Sequence, residues 1–155
     1  MMMTVSQLLD SKGHGVLSVS PQTTVYDALK LMAEKGVGAL VVLDKGRIVG
    51  MCSERDYARK VVLKGKSSKN TPVADIMTTS VCYVPPWRTI DECMALMTDK
   101  HVRHLPVLEN EKLVGLISIG DVVKAIISEQ EFAIKELEAF ADVALKDRAK
   151  KSAKK

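Results

Sequence analysis

Aromatic side chains are nearly missing: one Trp, two Phe and three Tyr make up 4% of the 155 residues. Any core must therefore come from Val, Leu, Ile, Met and Ala. Cysteines are also few. Cys52, Cys82 and Cys93 form an odd set without C-x-x-C spacing, which excludes a disulfide framework and a structural zinc site. Buried free thiols in a reducing compartment are expected instead. No apolar run approaches the roughly 18–20 residues of a membrane span. Met1 to Ser6 shows no basic stretch leading into an apolar one, as a secretory signal would, so a cytoplasmic protein without membrane contact is expected. The chain also lacks a nucleophile–base–orienter set, suggestively paired carboxylates and a cluster of metal-ligand types, so no enzymatic activity and no metal are expected. His14 has only His101 and His104 as imidazole companions.

The net charge of +4 is local. Residues 146–155 hold six basic residues and one acid, and without them the counts are 17 basic and 18 acidic. A basic end of this kind reads as a solvated, disordered tail. It could meet a nucleic acid or an anionic surface, but no aromatics interleave its charges as a stacking surface would require, and nucleic acid is not an expected partner.

What the chain does contain is a repeat. Sliding residues 10–62 onto 75–127 at an offset of 65 makes 16 of 53 positions identical, Asp10/Asp75 and Val16/Val81 among them. Chance gives about three for ordinary compositions. Two copies are too few for a solenoid, so a closed pseudo-twofold pair is expected.

Within each copy the pattern is β-α-β-β-α. In the first, Thr4 caps a short approach helix over 4–10, and Val16–Val19 is a strand stopped by Ser20-Pro21. Thr24 caps a helix whose apolar face is Val25, Ala28, Leu29 and Met32, closed by Gly36. Ala39–Leu43 is a doubly buried strand. Asp44-Lys45-Gly46 is a hairpin turn leading to a return strand through Cys52, and Ser53 caps the next helix. In the second copy the approach helix is Val73–Met77 and the first strand is Val81–Val84, stopped by Pro85-Pro86. Thr89 caps a helix with Ile90, Cys93, Met94 and Met97 on one face. Leu105–Leu108 and Lys112–Ile117 form the hairpin, and Ser118 caps a last helix running from Asp121 into the 140s. Ile134, Leu137, Ala141 and Leu145 give that helix an apolar stripe beyond the repeat, to be covered by the body or by a partner. The division expected is 5–65, a linker over 66–72, 73–128, a C-terminal helix over 129–145 and the tail over 146–155.

Each copy ends in the same step, Gly50-Met-Cys-Ser53-Glu-Arg-Asp56 and Gly115-Leu-Ile-Ser118-Ile-Gly-Asp121. Ser53 and Ser118 stand where free backbone N–H groups and the positive end of a helix dipole point outward, which suits a phosphate. A simpler reading is a capping box, with the Asp reaching back to the cap N–H. The two roles can coexist. The copies differ in charge: Gly38-Ala39 becomes Arg103-His104, and Glu54-Arg55 becomes Ile119-Gly120. Arg103 and His104 are candidates to neutralise a phosphate. Arg55 and Arg59, one turn apart, could hold further phosphates or simply line a solvated face.

The β-α-β-β-α unit, doubled and ending twice in G-h-h-S-x-x-D (h apolar), resembles the tandem CBS-domain or Bateman module over roughly residues 5–128. Met32-Ala-Glu-Lys-Gly36, Arg103-His-Leu-Pro-Val107 and Ser118-Ile-Gly-Asp121 are similar to the small stand-alone CBS-pair proteins. The resemblance implies an α/β (α+β) fold of two CBS repeats in pseudo-twofold packing, plus the extended helix. It implies a homodimer that senses AMP, ADP, ATP, NAD or S-adenosylmethionine, AMP or NAD foremost, and reports to a downstream protein. Asp56 and Asp121 would clamp ribose hydroxyls, with Ser53, Ser118 and Gly120 beside them and Gly38-Ala39 as a floor for adenine. Lys12, Gly13 and His14 in one half, and Met77, Thr78 and Thr79 in the other, would line the base. Two unequal sites are expected, Arg103 and His104 serving one and Arg55 the other. The alternative is a ligand-free dimerisation scaffold that docks a partner protein or nucleic acid through the C-terminal helix and basic tail.

Overall fold

In a computed structural model the chain is described over residues 2–153. It forms two similar halves that meet across one strand of each. The first is organised on strands β1 (Ser18–Val19), β2 (Ala39–Asp44) and β3 (Arg47–Ser53), in that order, with β1–β2 parallel and β2–β3 antiparallel. Helix α2 (Val25–Lys35) covers them. Thr24 accepts from the Asp27 N–H at its start, and Gly36 ends it at φ 65°. β2 is buried on both faces from Ala39 to Val42, as its unbroken apolar run demands.

The second half repeats the plan with β4 (His104–Glu109), β5 (Lys112–Ser118) and helix α4 (Ile90–Lys100), the last with a full Thr89–Glu92 capping box. A bulge falls at the same place in both hairpins, after Val42 and after Val107. The strand expected over Val81–Val84 does not form. Only Val84 pairs, donating to Pro106 O and accepting from Leu108 N–H. The reason lies in Pro106. Its counterpart Val41 donates to Leu17 O, whereas proline has no N–H to offer Cys82.

The approach segments exchange places. Helix α1 (Val5–Lys12), capped by Thr4 and Gln7, puts Val5, Leu8 and Leu9 into the core of the second half beside Ile90, Met97 and Ile117. Val73, which opens a single 3-10 turn (Val73–Asp75), and Ile76, which follows it, close the core of the first half against Val25, Met32 and Leu40. The equivalence here departs from the 65-residue offset. The Val5 N–H donates to Arg88 O just as the Val73 N–H donates to Thr23 O, so packing pairs Val5 with Val73 and Leu9 with Met77, an offset of 68. Asp10 and Asp75 are therefore identical in the sequence slide without being equivalent in space. Backbone pairing and apolar burial set this register, and a surface carboxylate does not.

These crossings also account for the glycine in each terminal step. A Cβ on Gly50 would stand 2.8 Å from Met77 Sδ and from Thr78 O, and one on Gly115 would stand 2.6 Å from Leu9 Cδ2.

The last helix, α5 (Ile119–Ala153), is 35 residues long. It buries Val122 and Ala125 and is tied at Glu129, which accepts from the Met3 N–H at 2.6 Å. From Gln130 to Ala153 every residue is exposed. The stripe of Ile134, Leu137, Ala141 and Leu145 thus does not pack on the body of its own chain. The tail expected to be disordered continues the helix through Ala153, since Lys, Arg and Ala carry high helix propensity and cations suit a helix C-terminus. Lys154 and Lys155 lie outside the described residues. No helix is long and apolar enough to cross a membrane among the described residues.

Candidate functional site

The first Ser-x-x-Asp step closes β3 and opens helix α3 (Glu54–Tyr57). Asp56 Oδ2 accepts from the Ser53 backbone N–H and hydroxyl, each at 3.0 Å, and the Asp56 N–H donates to Ser53 Oγ at 3.2 Å. The capping box is thus complete. Lys60 Nζ lies 3.0 Å from Asp56 Oδ1 and also donates to Ile76 O. Since a carboxylate offers about four lone-pair sites, Oδ1 keeps room for a further donor.

This corner forms one wall of a cavity of about 370 Å³ between the halves. Ala39, Met51, Ser53, Glu54, Arg55 and Asp56 line it from the first half. Thr78, Ser80, Val81, Cys82 and His101 to His104 line it from the other side. The pseudo-twofold therefore brings the 101–104 strand entry of one repeat to the helix start of the other, as expected. Arg55 and Arg103 share this one cavity; the expected division, with Arg55 at one site and Arg103-His104 at another, is not the arrangement found. Arg55 reaches this space from the helix that follows β3, and Arg103 from the entry to β4, where its carbonyl accepts from the Ile119 N–H just past β5. The Gly38 carbonyl accepts from the Glu54 N–H at 3.0 Å, leaving buried Ala39 as the small apolar wall. Arg59 is not among the lining residues. Helix α3 loosens after Tyr57 into a π turn (Ala58–Val62), and the wider turn rotates Arg59 out of line with Arg55. Thr79 points into an outer groove with Arg47, Ile48 and Tyr83. His101 is a lining residue that sequence reasoning passed over. Its signal was its place at the helix terminus where the first repeat has Gly36.

The second step repeats the cap but not the cavity wall. Ser118 N–H donates to Asp121 Oδ2 at 2.9 Å, and the Asp121 N–H donates to Ser118 Oγ at 3.1 Å. Lys12 Nζ sits 2.5 Å from the same Oδ2 and also donates to Leu116 O. The corresponding Met51 carbonyl accepts instead from the Thr78 backbone N–H. Burial alone would raise the Asp121 pKa, but the bonds from Lys12 and Ser118 outweigh it and hold the carboxyl below its ordinary value. Gly13 ends helix α1 at φ 113°. His14 is exposed, its Nε2 3.1 Å from Asp10 and its Nδ1 donating to Val114 O; both contacts raise its pKa. Gly120 turns outward to a groove along α5 with Ile119, Val123 and Ile127. His104 stands between the two corners. Burial lowers its pKa first and the Lys12 charge adds to this, with Asp121 opposing. Both steps thus carry a lysine on the aspartate, taken from different elements: Lys60 has Ala125 as its counterpart in the repeat, and Lys12 has Met77 in the 65-residue register.

No group of three or more His, Cys, Asp or Glu is placed to hold a metal ion among the described residues. The site has two carboxylates, Glu54 and Asp56, two arginines and helix-start donors around a half-apolar cleft. Such a set offers donors to an anion and an apolar wall to a flat group, at the seam of a duplicated module.

Comparison with known proteins defines that module. The CBS-domain family model matches residues 8–63 and again 73–128. The chain belongs to the CBS-domain family, as a tandem pair. It is 40% identical over 146 residues to the CBS domain-containing protein CBSX3, mitochondrial, of Arabidopsis thaliana, covering 88% of this chain and 71% of that one. A solved protein with CBS domains from Burkholderia ambifaria MC40-6 is 56% identical, with TM-score 0.80 over 83% of this chain and 96% of the other. The CBS domain pair of protein MJ0100, solved with methylthioadenosine and S-adenosyl-L-methionine, shares the fold at TM-score 0.74 with 18% identity, over 83% and 99% of the two chains.

Proposed function

We propose that this chain is a non-catalytic sensor of an adenine-containing ligand, AMP or NAD before ATP, ADP or S-adenosylmethionine, bound in the cavity between the two repeats and read out by a partner protein. The observation that carries this reading is the meeting of Ser53, Arg55 and Asp56 with Arg103 and His104 around one cleft. Arg55 and Arg103 supply donors for phosphate, Asp56 Oδ1 an acceptor for a ribose hydroxyl, and Ala39 a flat apolar wall for the base. Support also comes from the MJ0100 pair, which holds two adenosyl compounds on the same fold. The Asp56 corner lines the cavity and the Asp121 corner does not, so the Asp56 side is the first to fill. Two copies act together, and binding shifts the relation of the halves only to the extent that one arrangement holds the ligand better.

The test is the thermal midpoint with each of AMP, ATP, NAD and S-adenosylmethionine. A ligand present at about a hundred times its Kd adds about 2.7 kcal/mol, which for a domain of this size moves the midpoint by roughly 5–10 °C. Asp56→Ala and Arg103→Ala should each abolish most of that shift. A midpoint that no adenine compound raises sinks the reading.

A further inference from the structure

The second repeat differs from the first on one outer corner. Where the first has Ser18, Ser20 and Gln22, the second has Tyr83, Pro85 and Trp87. Ser18, Ser20 and Gln22 are exposed, so the fold accepts polar side chains at all three places. The two aromatic replacements stay outside as well: Trp87 is 68% exposed and Tyr83 59%. In a chain with one Trp and three Tyr, two such rings left in water side by side mark a contact surface.

Trp87 and the Pro85-Pro86 pair line a groove of about 530 Å³ against Leu108 and Glu109. Tyr83 lines a second groove that shares Leu108 with the first, so the two rings belong to one ledge. The indole is set in place: Arg88 lies over it, 5.1 Å from the ring centre, and Glu92 holds Arg88 at 2.7 Å. A fixed aromatic ledge suits a polyproline II segment, whose backbone is already extended and loses little freedom on docking.

Charge says which segment fits. The hairpin turn beside the ledge is Asp44-Lys45-Gly46 in the first repeat and Glu109-Asn110-Glu111 in the second, so one acid and one base become two acids. Glu111 even keeps its carboxylate at a left-handed φ of 65°, where the first repeat uses Gly46. Arg47 stands with Glu111 in the Tyr83 groove. Glu109 is the only charged side chain lining the Trp87 groove, and it makes no ion pair among the described residues. Lys112, across the hairpin from it, does not line that groove. An anionic lipid surface or a nucleic acid would be repelled here. A lysine or arginine beside the prolines would be held. The chain's five prolines offer no such segment, since Pro85-Pro86 is their one cluster and already forms the groove wall.

We propose that this corner of the second repeat docks a proline-rich segment of a partner protein, with prolines against Trp87, Tyr83 and Leu108 and an adjacent lysine or arginine on Glu109. The Trp87 groove shares no lining residue with the ligand cavity. Docking is therefore tested without nucleotide, and its failure is separate from a failure of the sensor reading.

Trp87 is the only tryptophan, so its emission reports the groove directly in the full chain. The probe is a synthetic peptide of about eight prolines, more than two turns of polyproline II, with arginine or glutamate at both ends. The arginine peptide should shift the emission and saturate below millimolar concentration, and the glutamate peptide should bind about tenfold more weakly. Anisotropy of the fluorescein-labelled arginine peptide should show an affinity about tenfold lower for Trp87→Gln. Glu109→Lys should reverse the order of the two peptides. Trp87→Gln copies Gln22 of the first repeat, and circular dichroism checks that both variants keep the fold. An emission unmoved by the arginine peptide at millimolar concentration overturns the proposal, as does a Trp87→Gln variant that binds as well as the wild type. A shift produced by phosphatidylglycerol vesicles and not by the peptide makes the corner a lipid contact and overturns it equally.

Discussion

The two repeats share a plan but not a state of ease. The first places glycine at two of its left-handed positions, Gly36 after α2 and Gly46 in the hairpin turn, at φ 65° and 79°. The second puts His101 and Glu111 there, at φ 54° and 65°, where a Cβ crowds the backbone. The first has a third strand, and the second loses it to Pro106. What the second half has in exchange is burial. It receives the two-turn helix α1, with Val5, Leu8 and Leu9, where the first receives a single 3-10 turn. A duplicated fold can thus keep one copy regular and let the other carry strain, provided apolar contact makes up the difference. One of the strained residues, His101, lines the cavity, and strain retained at a cleft is a recurrent mark of function.

The sharpest way to break the comparison is through its two motif glycines. Gly50→Ala should cost about 3 kcal/mol in urea unfolding, because Thr78 O is backbone and cannot yield. Gly115→Ala should cost only about 1 kcal/mol, since Leu9 can change rotamer. Equal losses would mean that the two crossings are equally rigid. Exchanging turn residues comes next. Glu111→Gly should stabilise by about 1 kcal/mol and Gly46→Glu destabilise by a similar amount; gains of the same sign from both would erase the asymmetry.

Asp121→Ala should cost about 1 kcal/mol at neutral pH through loss of the cap and a partly screened Lys12 pair. Its folded pKa is depressed, so this stability is present above the unfolded carboxylate pKa and fades as the pH drops through the folded one. The variant and the wild type should therefore converge in acid, as followed by urea midpoints across pH. The smallest effect belongs to His104. NMR titration should place it below the ordinary 6.5. The unfolded chain then binds the proton more readily, so stability declines as the pH falls from 6.5 toward the folded value. His104→Ala, which copies Ala39, should remove that slope.

Much of this was legible in the residues. Thr24, Thr89, Ser53 and Ser118 cap the helices they precede, because a side-chain oxygen three residues before a free N–H is a local matter. The unbroken run Ala39 to Val42 is a buried strand for equally local reasons. The missing strand at Val81–Val84 was not legible, since the fault lies in Pro106, a residue distant in the chain. The exchange of approach segments was hidden too, as nothing in Val5 or Val73 names the core it enters. In the site, Ser53, Asp56, Arg103 and His104 met as the twofold required. Lys60 and Lys12 were not foreseen on the aspartates, because one depends on the α3 turn and the other on a helix crossing from the far half.

The exchanged segments also bear on how the chain is made. During synthesis the first repeat emerges without Val73 and Ile76, and α1 waits for Ile90, Met97 and Ile117, some 80 to 110 residues later in translation. Neither repeat can finish its core alone. Long-range closure of this kind slows folding, yet it turns two copies of one unit into a single cooperative object. The duplicated gene segments cannot be parted again without each taking away a piece of the other.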